Sequence, residues 1–174
     1  MRACLLLLLI STIACSTPTP GDIKNAIKEY NENRPSLELS QKEWQYTLEN
    51  ISDGKSDWIA IAPFLAPVID RNQAIQLAES LYNSLVPNAK DTLAVLAILD
   101  QREQTYIYQQ GTDTSCLPPL DDSGTALKNP LIYENTRLAL LDAGPQGADC
   151  LWNLEALAEE IKAEAREKLN KRVR

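Results

Sequence analysis

The 174-residue chain contains no histidine and no glycine-rich phosphate-binding motif. Without histidine there is no Ser-His-Asp or Cys-His catalytic system, and the most common general base at neutral pH is missing. Hydrolysis by these routes is therefore excluded, and any catalysis would have to depend on carboxylates alone.

Two adjacent acidic pairs are candidates for hydrolysis of a glycan by carboxylates, namely Asp121 with Asp122 and Glu159 with Glu160. Neighbouring residues on a helix point in different directions, and the first pair precedes Ser123 in a predicted turn. We interpret both pairs as solvated surface. The oxygen-rich residues 112–125 lack the ligand spacing of an EF-hand, so we predict no metal and no cofactor.

Acidic residues outnumber basic ones, 24 to 17, which gives a formal net charge of −7. Without residues 1–14, 16 basic residues remain against the same 24 acidic ones, and the net charge is about −8. Such a surface repels phosphate backbones, so no nucleic-acid partner is expected. It favours a basic partner, although acidity that only maintains solubility is an open alternative.

The chain also lacks an apolar run long enough to cross a bilayer, which takes roughly 20 residues. Residues 5–10 are apolar, Arg2 precedes them and the small Ala14 follows, a layout typical of a secretory signal peptide. The last four residues of this region, Thr12, Ile13, Ala14 and Cys15, resemble the lipobox of bacterial lipoproteins. The resemblance implies cleavage before Cys15 and acylation of that cysteine. With Ser16 in the next position it also implies sorting to the outer membrane of a Gram-negative cell.

These features predict a signal peptide at residues 1–14, a lipidated tether at 15–21 and a single helical domain at 22–174. A cysteine carrying several acyl chains holds a protein at a bilayer surface without spanning it. The remaining residues of the predicted tether are small, polar or proline and cannot bury enough apolar area to fold.

Two of the four cysteines remain after Cys4 is assigned to the leader and Cys15 to the lipid. In an oxidising compartment, Cys116 and Cys150 are expected to form one disulfide, worth roughly 3 to 4 kcal/mol on the chain-entropy model. Their wide spacing and the absence of histidine argue against zinc. We expect the bond to clamp a helical hairpin.

The apolar periodicity predicts an all-α, compact bundle of about six helices. We expect helix caps at the following positions: Asp22, Ser40 with Glu43, Ser56, Asp70 with Gln73, and Asn129. Pro63 should kink or divide one helix, a turn at Pro87 and Asn88 should separate two more, and residues 105–108 should be extended.

Several apolar residues are expected to face the core. In the last two helices these are Leu131, Leu138 and Leu141, followed by Leu154, Leu157, Ile161 and Ala165. The three tryptophans, Trp44, Trp58 and Trp152, are also interpreted as core residues rather than interface anchors.

About 30 residues in the middle of the chain loosely resemble a HEAT-type hairpin. The likeness rests on the proline-kinked first helix, Asp70 at the turn and the small residues of the second helix. It implies a helical hairpin there. Because no second copy occurs at a fixed period, we predict a compact bundle and not a repeat array.

Three functional hypotheses follow. The first is a non-enzymatic lipoprotein at the periplasmic face of the outer membrane that binds a protein partner, one version being an immunity protein against a basic periplasmic toxin. The second is a structural or assembly accessory of an envelope complex. The third is a carboxylate-only cell-wall hydrolase.

Overall fold

The structure is a computed structural model that describes residues 17–33, 39–102, 108–121, 123–124 and 126–172. Its elements in chain order are α1 (Pro20–Asn33), α2 (Gln41–Ser52), α3 (Ser56–Ile59), α4 (Ala62–Leu65), α5 (Arg71–Gln101), α6 (Thr112–Ser115), α7 (Pro130–Asp142), a 3-10 turn (Gly144–Gly147) and α8 (Ala148–Arg172). Within the described ranges the only β pairing is one isolated antiparallel bridge between Leu120 and Leu127. The predicted all-α fold is confirmed.

Helix α5 is the centre of the molecule, and α2, α3, α4, α6 and α7 all pack against it. Its apolar side chains face several of these neighbours at once, and Leu77, Leu81, Leu85, Leu96 and Leu99 are fully buried. Trp44 and Trp58 lie in the same core, as predicted. A central helix that is apolar on several sides is typical of a bundle core.

Three predicted helix starts are confirmed. Ser40 with Glu43 and Asp70 with Gln73 form capping boxes, in which each side chain bonds the other residue's backbone N–H. Asn129 accepts hydrogen bonds from the first backbone N–H groups of α7, and Pro130 occupies the first turn.

Two predicted caps are wrong. The hydroxyl of Thr19, three residues before Asp22, accepts a hydrogen bond from the Asp22 N–H, and the Asp22 carboxylate accepts one from the Thr19 N–H, so Thr19 and not Asp22 is the N-cap of α1. α1 itself starts at Pro20, inside the predicted tether. Lys55 precedes α3 without a side-chain cap, and the Ser56 hydroxyl instead accepts a hydrogen bond of 3.2 Å from the Asn88 amide.

Pro63 divides its region as predicted, because α3 ends before it and Pro63 lies in the first turn of α4. The predicted separation of two helices at Pro87 and Asn88 is confirmed, because two helical segments meet there at a kink within α5. Asn88 departs from helical geometry, with φ −154° and ψ 66°, and its side-chain oxygen accepts the Asp91 N–H. The chain therefore begins a new helical segment at once, without a loop.

Helix α7 faces the core with the side opposite to the one predicted. Tyr133, Thr136 and Leu140 are buried, whereas Leu131, Leu138 and Leu141 are 69, 59 and 47 % exposed. The two sets lie on different faces of the helix, and the face with polar groups packs inward. The prediction weighted leucine alone and thus selected the wrong face.

Helix α8 is covered only over its first part. Leu154 and Ala158 are buried, but Ala165, predicted to face inward, is exposed. We call residues 148–158 the proximal half and residues 159–172 the distal half of α8. Of the predicted strand at residues 105–108, only Tyr108 lies within the described residues, and it forms a bend. The signal peptide and Cys15 also lie outside them.

Candidate partner-binding surface

The disulfide between Cys116 and Cys150 determines which elements meet at one end of the bundle. The two cysteines are bonded, as predicted, with a Cα–Cα distance of 5.1 Å, and both are buried. Cys116 directly follows α6 and Cys150 lies in the first turn of α8. The bond therefore joins α6 to α8 around a loop that contains α7, rather than clamping a simple two-helix hairpin.

The start of α6 is fixed to the end of α5 by Asp100. Its carboxylate accepts hydrogen bonds from the Thr112 N–H at 2.8 Å and from the Thr112 hydroxyl at 2.6 Å. Gly111, immediately before, has φ +113°, and a Cβ there would collide with the Asp100 carboxylate. Only glycine combines this backbone conformation with so close an approach.

Two further aspartates complete the acidic part of the surface. One oxygen of Asp113 on α6 accepts a hydrogen bond of 3.1 Å from the Asn153 side chain of α8. Asp149 lies in the first turn of α8 and is exposed. The helix dipole favours a negative charge in the first turn of a helix. The carboxylate of Asp149 is therefore stabilised by its position in α8.

Trp152 stands beside these carboxylates and is 75 % exposed. It lines a depression of about 370 Å³ together with Asp100, Thr112, Asp113, Asp149 and Asn153. We call these six residues the Trp152 surface. Three of the six are acidic and none is basic. A large exposed aromatic side chain among carboxylates is suited to a cationic group, which gains both ion pairing and attraction to the ring face.

The expectation that Trp152 is a core residue is therefore wrong. Trp152 lies two residues before the fully buried Leu154, which is about 200° around the helix and places it on the opposite face. The position of Trp152 on the opposite face from Leu154 can be predicted from their spacing in the sequence. The proximity of Asp100 and Asp113 cannot be predicted in this way, because it depends on how α6 packs between α5 and α8.

The described members of the two acidic pairs considered for hydrolysis make local contacts. Asp121 accepts hydrogen bonds from the Ser123 hydroxyl and the Ala126 N–H, so it organises its own turn. Asp122 lies outside the described residues. Glu159 bonds Lys162 at 2.8 Å, and this bond lowers the pKa of the glutamate. A general acid needs the opposite shift.

Across the described ranges, no group of three or more histidine, cysteine, aspartate or glutamate side chains is arranged to hold a metal ion. In the same part of the chain, no helix has the length and apolar character needed to span a membrane.

A larger cavity, of about 620 Å³, lies between α5 and the loop that follows α6. Its floor is mainly apolar, and at its rim Lys128 and Glu79 form an ion pair of 3.6 Å. Its volume is in the range of small-molecule pockets. Its lining contains one carboxylate, Glu79, and two basic side chains, Arg71 and Lys128.

The chain was compared with protein families, with curated proteins and with solved structures, and none of them matches it. The case for a function therefore depends on the surface and on the sequence features alone.

Proposed function

We propose that this chain is an exported lipoprotein that binds a basic protein partner through the Trp152 surface and catalyses no reaction. In this proposal acylated Cys15 anchors the chain to the periplasmic face of the outer membrane. The single observation that carries the binding role is Trp152, 75 % exposed in a depression lined by three aspartates and no basic residue.

The chemistry of protein interfaces supports this role. Tryptophan is enriched among the residues that contribute most to binding, and truncating such a residue costs about 2 kcal/mol or more, equivalent to about 30-fold in affinity. Surrounding charges act mainly on the association rate and on the choice of partner. With a net charge of −7 on the whole chain, long-range attraction would favour a basic partner at moderate ionic strength.

The Trp152 surface also has a fixed geometry. The disulfide holds α6 against α8, Asp100 holds the start of α6 against α5, and Asn153 bonds Asp113 across the depression. Binding to a preorganised surface avoids part of the entropy cost of ordering side chains.

The experiment is capture from an envelope extract with four single variants of the full chain. Trp152→Ala and Asp149→Lys change the Trp152 surface, whereas Leu138→Ala and Glu49→Lys make matched changes at exposed positions on α7 and α2. We expect one basic protein to be captured by wild type and by both control variants and to be lost with both surface variants. If all five proteins capture the same set, the Trp152 surface is not the binding site.

The anchor requires its own test. Labelled palmitate should enter the wild-type chain and not Cys15→Ser. Labelling of both would contradict acylation at Cys15.

Two versions of the proposed function differ in the partner. An immunity protein would block a basic toxin, and a toxin gene beside this one would support that version. An assembly accessory would bind a resident envelope protein, and a position within an envelope operon would support that version instead.

A further inference from the structure

The distal half of α8 extends beyond the helix that covers the proximal half. Helices α7 and α8 are joined by a short turn and pack side by side, and Arg137 bonds Glu155 at 2.8 Å. Counting from this pair in an antiparallel arrangement, the first residue of α7, Pro130, lies beside about Lys162. Every side chain from Lys162 to Lys171 is exposed. The helix therefore projects about 15 Å past the start of α7.

The projecting helix still carries an apolar stripe. Leu154 and Ala158, buried in the proximal half, are continued at helical spacing by Ile161, Ala165 and Leu169. Leu169 is 62 % exposed and Ile161 is partly exposed. A helix surrounded only by water is normally polar all round, whereas an apolar stripe is typical of a helix with one covered face. No element within the described residues covers this one.

The charges of the distal half are divided along its length. Residues 159–165 contain three glutamates and one lysine, and residues 166–172 contain four basic residues and one glutamate. If two copies of this segment lie antiparallel, the acidic part of each faces the basic part of the other. In a parallel pair, like charges would face each other.

We propose that two copies of this chain associate through the distal halves of α8, packed antiparallel about Ala165. The interface is isologous, as expected for a two-fold symmetric dimer. In this register Ile161 of one copy packs near Leu169 of the other, and the small Ala165 side chains lie at the centre, where the two helices approach most closely.

This pairing is a second surface, separate from the Trp152 surface in both position and charge. The distal half is close to neutral overall and has no reason to prefer a basic partner. The contact is about 20 Å long and is smaller than a standard stable interface. We therefore expect a dimer that dissociates in the micromolar range, about 10 to 100 µM.

Cysteine cross-linking of the purified full-length chain tests both the contact and its direction. Ala165→Cys should form an intermolecular disulfide under mild oxidation at about 50 µM protein, within the expected dissociation range. Ala163→Cys, an exposed alanine on the other side of the same helix, should not do so. Leu169→Cys alone should not cross-link, but it should do so when mixed with Ile161→Cys. The wild-type chain provides the background.

Each outcome of this experiment is informative. Equal cross-linking of Ala163→Cys and Ala165→Cys, or no cross-linking at position 165, would overturn the proposed contact. Efficient cross-linking of Leu169→Cys to itself would overturn the antiparallel direction.

A charge exchange provides a second, independent readout. Replacing Arg166 and Lys171 by glutamate in the Ala165→Cys background should reduce cross-linking about tenfold, because in this register they face Glu164 and Glu159 of the other copy and both favourable pairs become repulsive. Adding Glu159→Lys and Glu164→Lys should restore it, since the facing charges are then complementary again. A reduction that the second pair of substitutions fails to reverse would contradict the charge pairing.

Discussion

The proximal and distal halves of α8 belong to one continuous helix, yet different interactions maintain them. The proximal half is attached by a disulfide at Cys150 and by the buried Leu154 and Ala158. Beyond Lys162, the support that the described residues give the distal half is local, from ion pairs four residues apart, Glu164 with Lys168 and Glu167 with Lys171. Once a packed segment has nucleated a helix, each further residue adds one hydrogen bond at little cost.

Within α8, the proximal half is thus stabilised by tertiary contacts, whereas the distal half is stabilised mainly by interactions within the helix. Ion pairs at this spacing contribute about 0.2 to 0.5 kcal/mol each, whereas a buried leucine or a disulfide contributes several times more. We therefore expect the distal half to open locally while the proximal half remains folded.

The largest effect is expected from removing the disulfide of the proximal half. Reducing the bond, or replacing Cys116 and Cys150 by serine, should lower the free energy of unfolding by about 3 to 4 kcal/mol, because the unfolded chain regains the freedom of the closed loop. Urea unfolding of the oxidised and reduced protein measures this difference. A loss below about 1 kcal/mol would mean that α6 and α8 hold together without the bond.

A pair of matched leucine substitutions compares the two halves directly. Leu154→Ala should cost about 2 to 5 kcal/mol of unfolding free energy, since it leaves a cavity at a fully buried site. Leu169→Ala should change it by less than about 0.5 kcal/mol. Both are measured by urea unfolding at low protein concentration, so that pairing between copies does not contribute. Equal costs would show that the distal half is packed after all.

Removing one ion pair should affect only the distal half. Glu164→Gln removes the contact with Lys168 and should weaken the local helix by about 0.3 to 0.5 kcal/mol. Faster amide exchange in residues 162–172, with unchanged exchange around Leu154, is the expected result. Added salt should produce the same change in the wild type by screening this ion pair. The Glu164→Gln variant, which lacks the pair, should respond less to salt and serves as the control.

Acid should produce the smallest and most local change. The hydrogen bond from Lys162 lowers the pKa of Glu159 below its usual value of 4.5. A lowered carboxyl pKa stabilises the folded form above the unfolded pKa, and this stabilisation disappears as the pH falls through the folded pKa. Below pH 4.5 the protection of amides near Glu159, measured as the exchange rate relative to that of an unstructured peptide at the same pH, should therefore decrease, while protection at Leu154 is retained. Equal loss of protection at both sites would indicate global acid unfolding.

The sequence predicted best where a local rule determines the structure. Ser40 with Glu43 and Asp70 with Gln73 each need only three-residue spacing to form a capping box, and both were predicted correctly. The disulfide followed from counting cysteines. Pro63 divides its region because proline has no backbone N–H to donate within a helix and its ring collides with the preceding turn.

The predictions failed where packing between segments distant in the sequence determines which side chains are buried or brought together. The face of α7 could not be chosen from leucines alone, because Tyr133 and Thr136 are buried against other helices. The Trp152 surface combines residues from three helices, and only the helical phase of Trp152 was readable beforehand.

The close approach at Gly111 gives this fold a recognisable signature. A side chain at position 111 would collide with Asp100, and the Thr112 backbone and hydroxyl both bond that carboxylate. This corner has a definite spacing in the sequence. Ten residues separate Asp100 from Gly111 and Thr112, three more precede Cys116, and a further 33 precede Cys150. We expect a distant homologue to keep this glycine and this aspartate, because a side chain at position 111 would displace the carboxylate that fixes the start of α6.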